Sequence, residues 1–298
     1  MTNLAIIIPY YKIDFFEETL QSVAAQSDKR FTLYIGNDAS PDDPKKIIEK
    51  YFLEGNYHYY NYNENVGGKN LAQQWERILE NVTEEWFQIL GDDDCISENF
   101  VEEFYKNLNE VKYSNSSVIK FSQCWIDENG NPFTSFTHYP KLIDPVENFI
   151  HKFIDYHRGS LSEYILKTAK YKKYGFTKFP LAWHSDDYAL LQFSKKNPIF
   201  FVDKAKLYIR VSIKSISGNQ TLDAEKKIAG YQFWGLILNN YHHLLPKDFV
   251  LQKVKLQVDY AYKNKQQLNI NLFKIFLSLK EYKKIFKLPS TFYYLHQK

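Results

Sequence analysis

Strand-like and helix-like segments alternate through residues 1–125, and this alternation constrains the fold more than any other feature of the sequence. A continuous apolar run, Leu4–Ile8, ends at Pro9, as a buried parallel strand would. Asp14 can cap a helix that extends to about Gln26, because apolar residues follow it at helical spacing. The same patterns predict strands at 31–35, 57–60, 86–90 and 118–124, and helices at 45–53, 71–79 and 100–108.

Strands separated by helices of about 10–15 residues form βαβ units, so the sequence predicts an α/β fold with a mainly parallel sheet flanked by helices. Further along the chain the pattern is less regular. We interpret 126–160 as loop or irregular strand, 164–174 and 188–193 as helical, and 199–211 as two strand-like pieces. Only helical patterns follow from about residue 222. We therefore expect a first domain over 1–220 and a helical C-terminal region over 221–298.

The charge distribution divides the chain at the same place. The net charge is +3, but residues 1–220 carry 25 Lys and Arg against 30 Asp and Glu, a net charge of −5. Residues 221–298 carry 13 against 5, a net charge of +8. Within 272–287, lysines flank an apolar helical stripe, and Phe273 and Leu277 lie among these lysines. This pattern is typical either of a helix packed on the body or of one that contacts an anionic membrane surface.

The composition excludes several classes of protein. With 44% hydrophobic and 24% charged residues, the chain is globular and not disordered. Two cysteines, Cys95 and Cys124, are too few for a disulfide framework. The sequence has no run of about 18 apolar residues that would span a membrane, and its N-terminus does not resemble a signal peptide. We therefore expect a cytoplasmic protein.

Three consecutive acids, Asp92, Asp93 and Asp94, follow the predicted strand at 86–90. Ligands of parallel sheets bind at the carboxyl ends of the strands. Adjacent carboxylates repel one another, and a hard divalent cation with oxygen ligands would neutralise them. The alternative is an acidic turn that caps the helix at Phe100.

Other polar residues follow other strands. Asp38 comes directly after the second strand, where its carboxylate could accept a ring N–H such as the N3–H of uracil, or could instead form an Asx turn. Tyr11 could supply a stacking face for the base. Lys69 follows Gly67 and Gly68 at a helix start, where backbone and ammonium could meet a phosphate. The spacing is not that of a P-loop.

A second pair of acids, Asp186 and Asp187, follows His184. One of these carboxylates could act as a general base toward a hydroxyl group. The alternative is an acidic helix N-terminus, and His184 could be a ligand or a hydrogen-bonded structural residue. We find no Ser-His-Asp or Cys-His arrangement and no H-x₃-H metal spacing in the sequence.

In their order and spacing, these segments resemble the GT-A-fold family 2 glycosyltransferases, inverting enzymes that use nucleotide-sugar donors. The resemblance covers about residues 3–220. Its segments are the opening strand and turn at 6–11, an S-x-x-x-Q helix end at 22–26, a second strand with a D-x-S-x-D segment at 31–42, an N-x-G segment at 65–70, the place of the D-x-D motif at 91–94, an E-D-Y-x-L-like segment at 186–190, and a Y-x-R strand followed by Ser215 and Ser217.

The resemblance implies a role for each candidate residue. The implied nucleotide-binding residues are Pro9, Tyr11, Asp38, Lys69 and Asp92. The implied ligands of a divalent metal, Mn²⁺ or Mg²⁺, are Asp93 and Asp94. The implied catalytic base is Asp187, with Asp186 as the second choice. Three departures from the family pattern are Gly91 in place of the first acid of D-x-D, Lys69 where an arginine is frequent, and Asn37 in place of an acid beside Asp38.

The resemblance also implies the partners. These are a nucleotide-sugar donor, with a UDP-sugar favoured, and a saccharide or lipid-linked saccharide acceptor in bacterial surface polysaccharide synthesis; nucleic acid is not expected. Peripheral contact with the inner face of the membrane would occur through the C-terminal region. Two alternatives are a sugar-nucleotide nucleotidyltransferase and a non-catalytic nucleotide- or carbohydrate-binding module. The nucleotidyltransferase would carry a Gly-rich basic segment after the first strand, where this chain has 9–14.

Overall fold

The computed structural model describes residues 3–212, 215 and 218–287 of the 298-residue chain. The described residues divide into two compact units, of which the first ends at Asp223 and the second begins at Ala224. Within the described residues, no helix is both long enough and apolar enough to cross a membrane.

One sheet of nine strands, counted over the described residues, forms the centre of the first unit. The strands are β1 (Leu4–Tyr10), β2 (Phe31–Asn37), β3 (Tyr57–Asn61), β4 (Trp86–Ile89), β5 (Cys95–Ile96), β6 (Val118–Ile126), β7 (Leu142–Ile143), β8 (Tyr164–Lys167) and β9 (Ile199–Arg210). Their order is β3-β2-β1-β4-β8-β6-β9-β5, and β7 pairs with β9. The strands β3, β2, β1 and β4 are parallel, as are β6 and β9, whereas β8 is antiparallel to both of its neighbours.

Helices cover both faces of this sheet. They are α1 (Phe16–Ala24), α2 (Lys45–Tyr51), α3 (Leu71–Leu79), α4 (Phe100–Tyr113), α5 (Pro145–Phe153), α6 (Thr168–Tyr174) and α7 (Ser185–Ser194). Alternate residues of β1 enter two separate cores: Ile6 packs with Leu20 and Phe104, and Ile7 packs with Ile78 and Phe193. Burial on both faces explains why the strand is a continuous apolar run. The predicted mixed α/β architecture is confirmed.

The helix α1 begins at Phe16 with Phe15, and not Asp14, as its N-cap residue. Three further segments differ from the sequence prediction. Residues Tyr164–Lys167 are a strand and not the start of a helix, because this short apolar run finds partners in both β4 and β6. The helix α5 lies inside the segment predicted as loop, and Asp144 caps it by accepting hydrogen bonds from two backbone N–H groups. The two strand-like pieces at 199–211 form a single strand, whose register with β6 shifts after Phe121.

The second unit is helical, as predicted for residues beyond 222. Its helices are α8 (Asp223–Tyr241), α9 (Lys247–Lys263), α10 (Leu272–Ser278) and α11 (Tyr282–Ile285). In α10, Leu272, Ile275 and Phe276 are buried, whereas Phe273 and Leu277 are about half exposed, at 55% and 48%. The first part of the predicted apolar stripe therefore faces inward, whereas its last members, Tyr282 and Phe286, are 54% and 84% exposed. Large apolar side chains thus face solvent among lysines.

Candidate active site

The acidic triplet lies in the turn after β4, beside the turn after β1. Asp92 joins the two turns, since its Oδ2 accepts hydrogen bonds from the backbone N–H groups of Tyr11 and Lys12, both at 2.8 Å. Because β1 and β4 are parallel neighbours, their carboxyl ends meet at the same edge of the sheet. One of the three acids therefore holds the turn that carries the predicted base-stacking residue Tyr11.

The Asp94 carboxylate is buried and held on both sides. Its Oδ2 accepts a hydrogen bond from Ser162 Oγ at 2.5 Å, and its Oδ1 accepts one from the backbone N–H of Arg210 at 2.9 Å. The buried Arg210 guanidinium also donates to the Asp93 carbonyl oxygen at 3.1 Å and pairs with Glu18. Burial, opposed by these hydrogen bonds, raises the pKa of Asp94 to about 6.

The Asp93 side chain differs from those of its two neighbours. Among the described residues, no hydrogen bond or ion pair reaches its carboxylate oxygens. Burial, together with the charges of Asp94 and Asp92, raises the pKa of Asp93 well above its ordinary value. Half-buried, repelled and unpaired carboxylate oxygens are the donor set that Mg²⁺ or Mn²⁺ would take. The turn therefore fits a divalent cation with Asp93 as its most available ligand.

Gly91 occupies the position at which the resembling family usually has the first acid of its metal motif. A Cβ atom at residue 91 would lie 2.9 Å from Asp94 Oδ2 and 3.0 Å from Asp93 Oδ1. A carboxylate side chain at this position would therefore have to displace the side chains of Asp93 and Asp94. The backbone N–H of Gly91 instead donates to Ser162 Oγ at 3.0 Å, which strengthens the contact between that serine and Asp94.

Asp38 lies buried at the end of β2 and binds the loop that contains the two glycines. Its Oδ1 accepts from Val66 N at 2.9 Å, its Oδ2 accepts from Gly67 N at 2.7 Å, and Arg77 pairs with it. A Cβ atom at Gly67 would lie 2.4 Å from Oδ2, so only glycine permits this approach. A carboxylate oxygen can accept two hydrogen bonds, which leaves Oδ2 able to accept one from a ligand.

The remaining predicted nucleotide-binding residues lie on the loops around these acids. Pro9 is half-buried in β1 and pairs in register with Gly36 of β2. The Tyr11 side chain is 40% exposed. Lys69 is exposed, and its ammonium lies 3.6 Å from the Glu64 carboxylate. Tyr11 is therefore open to a ligand, and Lys69 is held only by a weak surface ion pair.

The second predicted pair of acids lies in the first turn of α7. Asp187 is buried, and both of its oxygens have partners: Lys152 Nζ lies 2.5 Å from Oδ1, and His184 Nδ1 lies 2.9 Å from Oδ2. Although burial opposes the charge, Lys152 and His184 lower the pKa of Asp187 to about 2. Burial and the charge of Asp187 raise the pKa of Asp186. The pKa values of the two acids are therefore shifted in opposite directions.

The backbone just before α7 is strained. Leu181, Ala182 and His184 have φ angles of 58°, 53° and 71°, in the left-handed region that non-glycine residues rarely adopt. Such conformations cluster at functional sites because the surrounding structure must hold them. Here they present His184 to Asp187.

Buried polar side chains lie between the acidic turn and Asp187. Ser162, which holds Asp94, lies in the 3₁₀ turn Leu161–Glu163. Glu163 is fully buried, 3.9 Å from the ammonium of Lys120, which donates to Asn148 Oδ1 at 2.8 Å. Asn148 belongs to α5, the helix that also carries Lys152. The 3₁₀ turn therefore contacts the predicted metal-binding residues, and α5 contacts the predicted base.

Three further side chains with metal-ligand chemistry, His151, Asp155 and His157, lie together near α5, with their ligand atoms within 4.8 Å of one another. His151 Nδ1 and Asp155 Oδ2 are 3.0 Å apart, and the two imidazole rings are stacked at an interplanar angle of 8°. A metal ion lies near the plane of each imidazole that binds it, which stacked parallel rings do not permit. We assign no cation to this group.

Sequence reasoning missed three residues of the site. Ser162 and Lys152 lie in segments without a recognised motif, and the D-P pair at 144–145 was the feature that could have located the helix of Lys152. Arg210 was part of a recognised motif but had no assigned role. Of the two serines that complete that motif, Ser215 donates to the Ser212 carbonyl oxygen at 2.8 Å, and Ser217 lies outside the described residues.

A family model described as Glycosyl transferase family 2 matches residues 5–213. This match spans more than half of the chain, so the protein belongs to glycosyl transferase family 2 and is a glycosyltransferase. The nucleotidyltransferase and the non-catalytic binding module are therefore no longer favoured. No curated protein sequence matches the chain significantly.

Solved structures share the fold of this chain. S. aureus TarS 1–349 in complex with UDP-GlcNAc aligns with a TM-score of 0.64 at 17% identity, covering 88% of this chain and 73% of TarS 1–349. The complex of TarS 1–349 with UDP gives 0.60 at 19% identity, covering 88% and 72%. GalNAc-T7 with UDP, GalNAc and Mn²⁺ gives 0.54 at 9% identity, covering 72% and 45%. At these identities the similarity concerns the fold alone.

Proposed function

We propose that this glycosyltransferase moves a sugar from a nucleotide-diphosphate donor, in particular a UDP-sugar, to an acceptor hydroxyl with inversion at the anomeric carbon. The observation that carries the proposal is the acidic turn, in which Asp93 is unpaired while Asp92 and Asp94 fix its surroundings. The presence of UDP or UDP-GlcNAc in the TarS structures supports the choice of donor.

On the donor side, the residues of this chain bind and orient the nucleotide. Tyr11 offers a ring face to the base, and Asp38 accepts the ring N–H while it holds the loop of Gly67. Lys69 approaches the phosphates from that loop. A divalent cation, Mn²⁺ or Mg²⁺, held by Asp93 and Asp94 would supply positive charge for the diphosphate leaving group. GalNAc-T7 with Mn²⁺ supports this choice of cation.

On the acceptor side, Asp187 acts as the general base, with Asp186 as the second choice. The acceptor oxygen bonds to the anomeric carbon while its proton passes to the carboxylate, and the bond from that carbon to the diphosphate oxygen breaks. Attack from the face opposite the leaving group inverts the configuration. A positioned base contributes a factor of about 10²–10⁴ to the rate.

The first test measures UDP release from a panel of nucleotide sugars with Mn²⁺, with Mg²⁺ and with excess chelator. We expect release with one UDP-sugar and a divalent cation. An NMR assignment of the anomeric configuration of the product then tests inversion. Asp187→Asn should lower kcat by a factor of about 10² or more while donor binding survives. Full turnover in chelator would contradict the role of the cation, and a normal kcat for Asp187→Asn would contradict the base.

We further propose that the acceptor is lipid-linked, in the assembly of a bacterial surface polysaccharide, and that the C-terminal unit contacts the anionic inner face of the membrane. The exposed side chains Phe273 and Leu277 lie beside Lys274, and Phe286 is 84% exposed. Apolar side chains among lysines suit the interfacial zone, where each lysine near an anionic surface contributes about 1 kcal/mol.

Sedimentation with phosphatidylglycerol-containing vesicles tests this contact. The full chain should sediment with anionic vesicles at low salt and remain in solution with phosphatidylcholine vesicles. A variant with Phe273→Ser, Leu277→Ser and Lys274→Gln should lose the association, because it removes apolar area and charge from one face. The matched control, Leu53→Ser, changes an exposed leucine of the first unit. Equal sedimentation of all three proteins, or none, would contradict the membrane role.

A further inference from the structure

The strongest ion pair around the proposed base has no part in the mechanism described so far. Lys152 reaches from α5 to α7, where its ammonium lies 2.5 Å from Asp187 Oδ1 and 3.9 Å from Asp186 Oδ2. The lysine side chain is only 25% exposed, and the Asp187 side chain is 4% exposed. A charge pair this buried is weakly screened by water, so each partner strongly affects the other.

We infer that Lys152 is a positioning residue for Asp187, fixing the orientation of the proposed base and setting its affinity for the acceptor proton. The inference rests on the proposed role of Asp187. An ammonium on Oδ1 and an imidazole on Oδ2 hold the carboxylate at both oxygens, which restricts rotation of the carboxylate about its Cβ–Cγ bond. Proximity effects in catalysis depend on such fixed geometry.

The other charged and titratable groups around Asp187 do not replace this lysine. Those that interact with it are Asp186 in its own helix, His184 at the N-cap of that helix, Lys120 on β6 and Tyr164 on β8. Lys120 is turned toward Asn148 and Glu163, and Glu163 interacts with Lys120 and Lys152. Asp186 is an acid, which disfavours ionisation of Asp187. Lys152 therefore makes the largest single contribution to keeping the base ionised, and His184 makes the next largest.

The sign of the effect follows from these contacts. Lys152 and His184 lower the pKa of Asp187 to about 2, although burial alone would raise it. Removing the ammonium leaves a buried carboxylate beside Asp186, so the pKa of Asp187 rises and the base becomes protonated at higher pH. The kcat of Lys152→Met should therefore fall on the acid side, at a pH where the wild-type kcat is still flat. Lys152→Arg keeps the charge and should retain the wild-type profile.

The test compares kcat against pH, from 5 to 8.5, at saturating metal and with the UDP-sugar that gives the highest UDP release. The proteins are full chains: wild type, Lys152→Met, Lys152→Arg, Asp187→Asn, and Lys112→Met as a control for an exposed ion pair with Glu85. Because burial can raise the pKa of a carboxyl group without a cation by about 3–5, we expect the acid limb of Lys152→Met to enter this pH range. Its kcat should fall from pH 8 to pH 5 by about tenfold more than that of wild type, or by a larger factor. Lys112→Met should behave as wild type.

Unfolding in urea gives a readout that does not depend on activity. The difference in unfolding free energy between wild type and Lys152→Met should grow from pH 5 to pH 8, because an unpaired Asp187 resists ionisation in the folded state. In the double variant Lys152→Met/Asp187→Asn, this growth should disappear. The double variant also removes the unpaired buried charge, so it should fold even where Lys152→Met is poorly stable.

The outcomes separate the inference from the proposed function. The inference would be overturned if Lys152→Met showed an unshifted acid limb and a uniform fall of kcat at all pH values. If Asp187→Asn lost activity at the same time, the base assignment would stand. A normal kcat in Asp187→Asn would overturn the base assignment itself, and the inference with it. A shifted limb together with a pH-dependent coupling in urea would support both.

Discussion

The acidic turn should destabilise the metal-free protein at neutral pH, because the charges of its three carboxylates are only partly balanced by nearby cations. Burial raises the pKa of Asp94 to about 6, against an ordinary value of 3.8, and raises that of Asp93 well above its ordinary value. A carboxyl group whose pKa is raised in the folded state binds more protons folded than unfolded. Its contribution to stability is therefore present below about pH 4 and is lost as the pH rises through the folded pKa near 6.

The size of this effect follows from the Asp94 shift. Each pKa unit corresponds to 1.36 kcal/mol, so the rise to about 6 removes about 3 kcal/mol of stability between pH 4 and pH 7. Asp93 contributes in the same direction. A divalent cation favours the ionised carboxylates and should restore the loss at pH 7.5, with about 2.7 kcal/mol gained when its concentration is 100 times its Kd.

The perturbation is Asp93→Asn, which keeps the shape of the side chain and removes one of the three charges. In chelator, the variant should be more stable than wild type at pH 7.5, and this difference should shrink toward pH 4.5, where the acids are protonated. Addition of Mn²⁺ or Mg²⁺ should stabilise wild type and leave the variant nearly unchanged. Activity should be lost while the fold remains intact.

Urea unfolding at pH 4.5, 6 and 7.5, with and without the cation, measures these differences. The control is Asp203→Asn, which changes an aspartate whose side chain is 51% exposed and pairs with Lys206. The reasoning would be refuted if Asp93→Asn gained as much stability from the cation as wild type does. It would also be refuted if the difference between the two proteins in chelator were the same at all three pH values.

Three further predictions concern residues of the proposed nucleotide-binding loop and of the acidic turn. Asp38→Ala should weaken UDP binding by about 1–3 kcal/mol and reduce the preference for UDP over GDP, both measured by calorimetry. An unchanged Kd for UDP would show that Asp38 only holds the loop. Gly67→Ala should weaken UDP binding without removing any hydrogen-bonding group, since its Cβ would lie 2.4 Å from Asp38 Oδ2. A Gly67→Ala protein with the UDP affinity and melting temperature of wild type would contradict that close approach. Arg210→Gln should lower the unfolding free energy by about 2–4 kcal/mol, because the buried guanidinium donates hydrogen bonds to several backbone carbonyl oxygens. A loss below about 1 kcal/mol in urea unfolding would show that these hydrogen bonds contribute little to stability.

Much of the fold was determined by local sequence pattern. Runs such as Leu4–Ile8 are apolar on both faces, which suits a strand covered by helices on each side, and helical spacing of apolar residues marks α1 and α4. These features are periodic within a few residues and depend little on distant contacts. The acids of the site, Asp38 and 92–94, follow such strands directly, so their meeting at one edge of the sheet could be predicted.

The tertiary structure alone decided which acids are paired and which are free. The sequence presents Asp92, Asp93 and Asp94 as three equal carboxylates, but backbone N–H groups bind the first, and Ser162 with the Arg210 backbone binds the third. These partners lie 68 to 116 positions away in the chain. No local pattern encodes such contacts, because they depend on how the sheet is ordered.

The same holds for the proposed base and its cation. Lys152 lies in a segment whose pattern suggested a loop, whereas the structure has a helix there that begins at the cap formed by Asp144. Its pairing with Asp187, 35 positions further on, exists only because α5 and α7 pack together in the folded chain. The sequence could place a carboxylate at the start of a helix, but the proton affinity of that carboxylate is set by burial and by opposite charge, which arise only when distant segments meet.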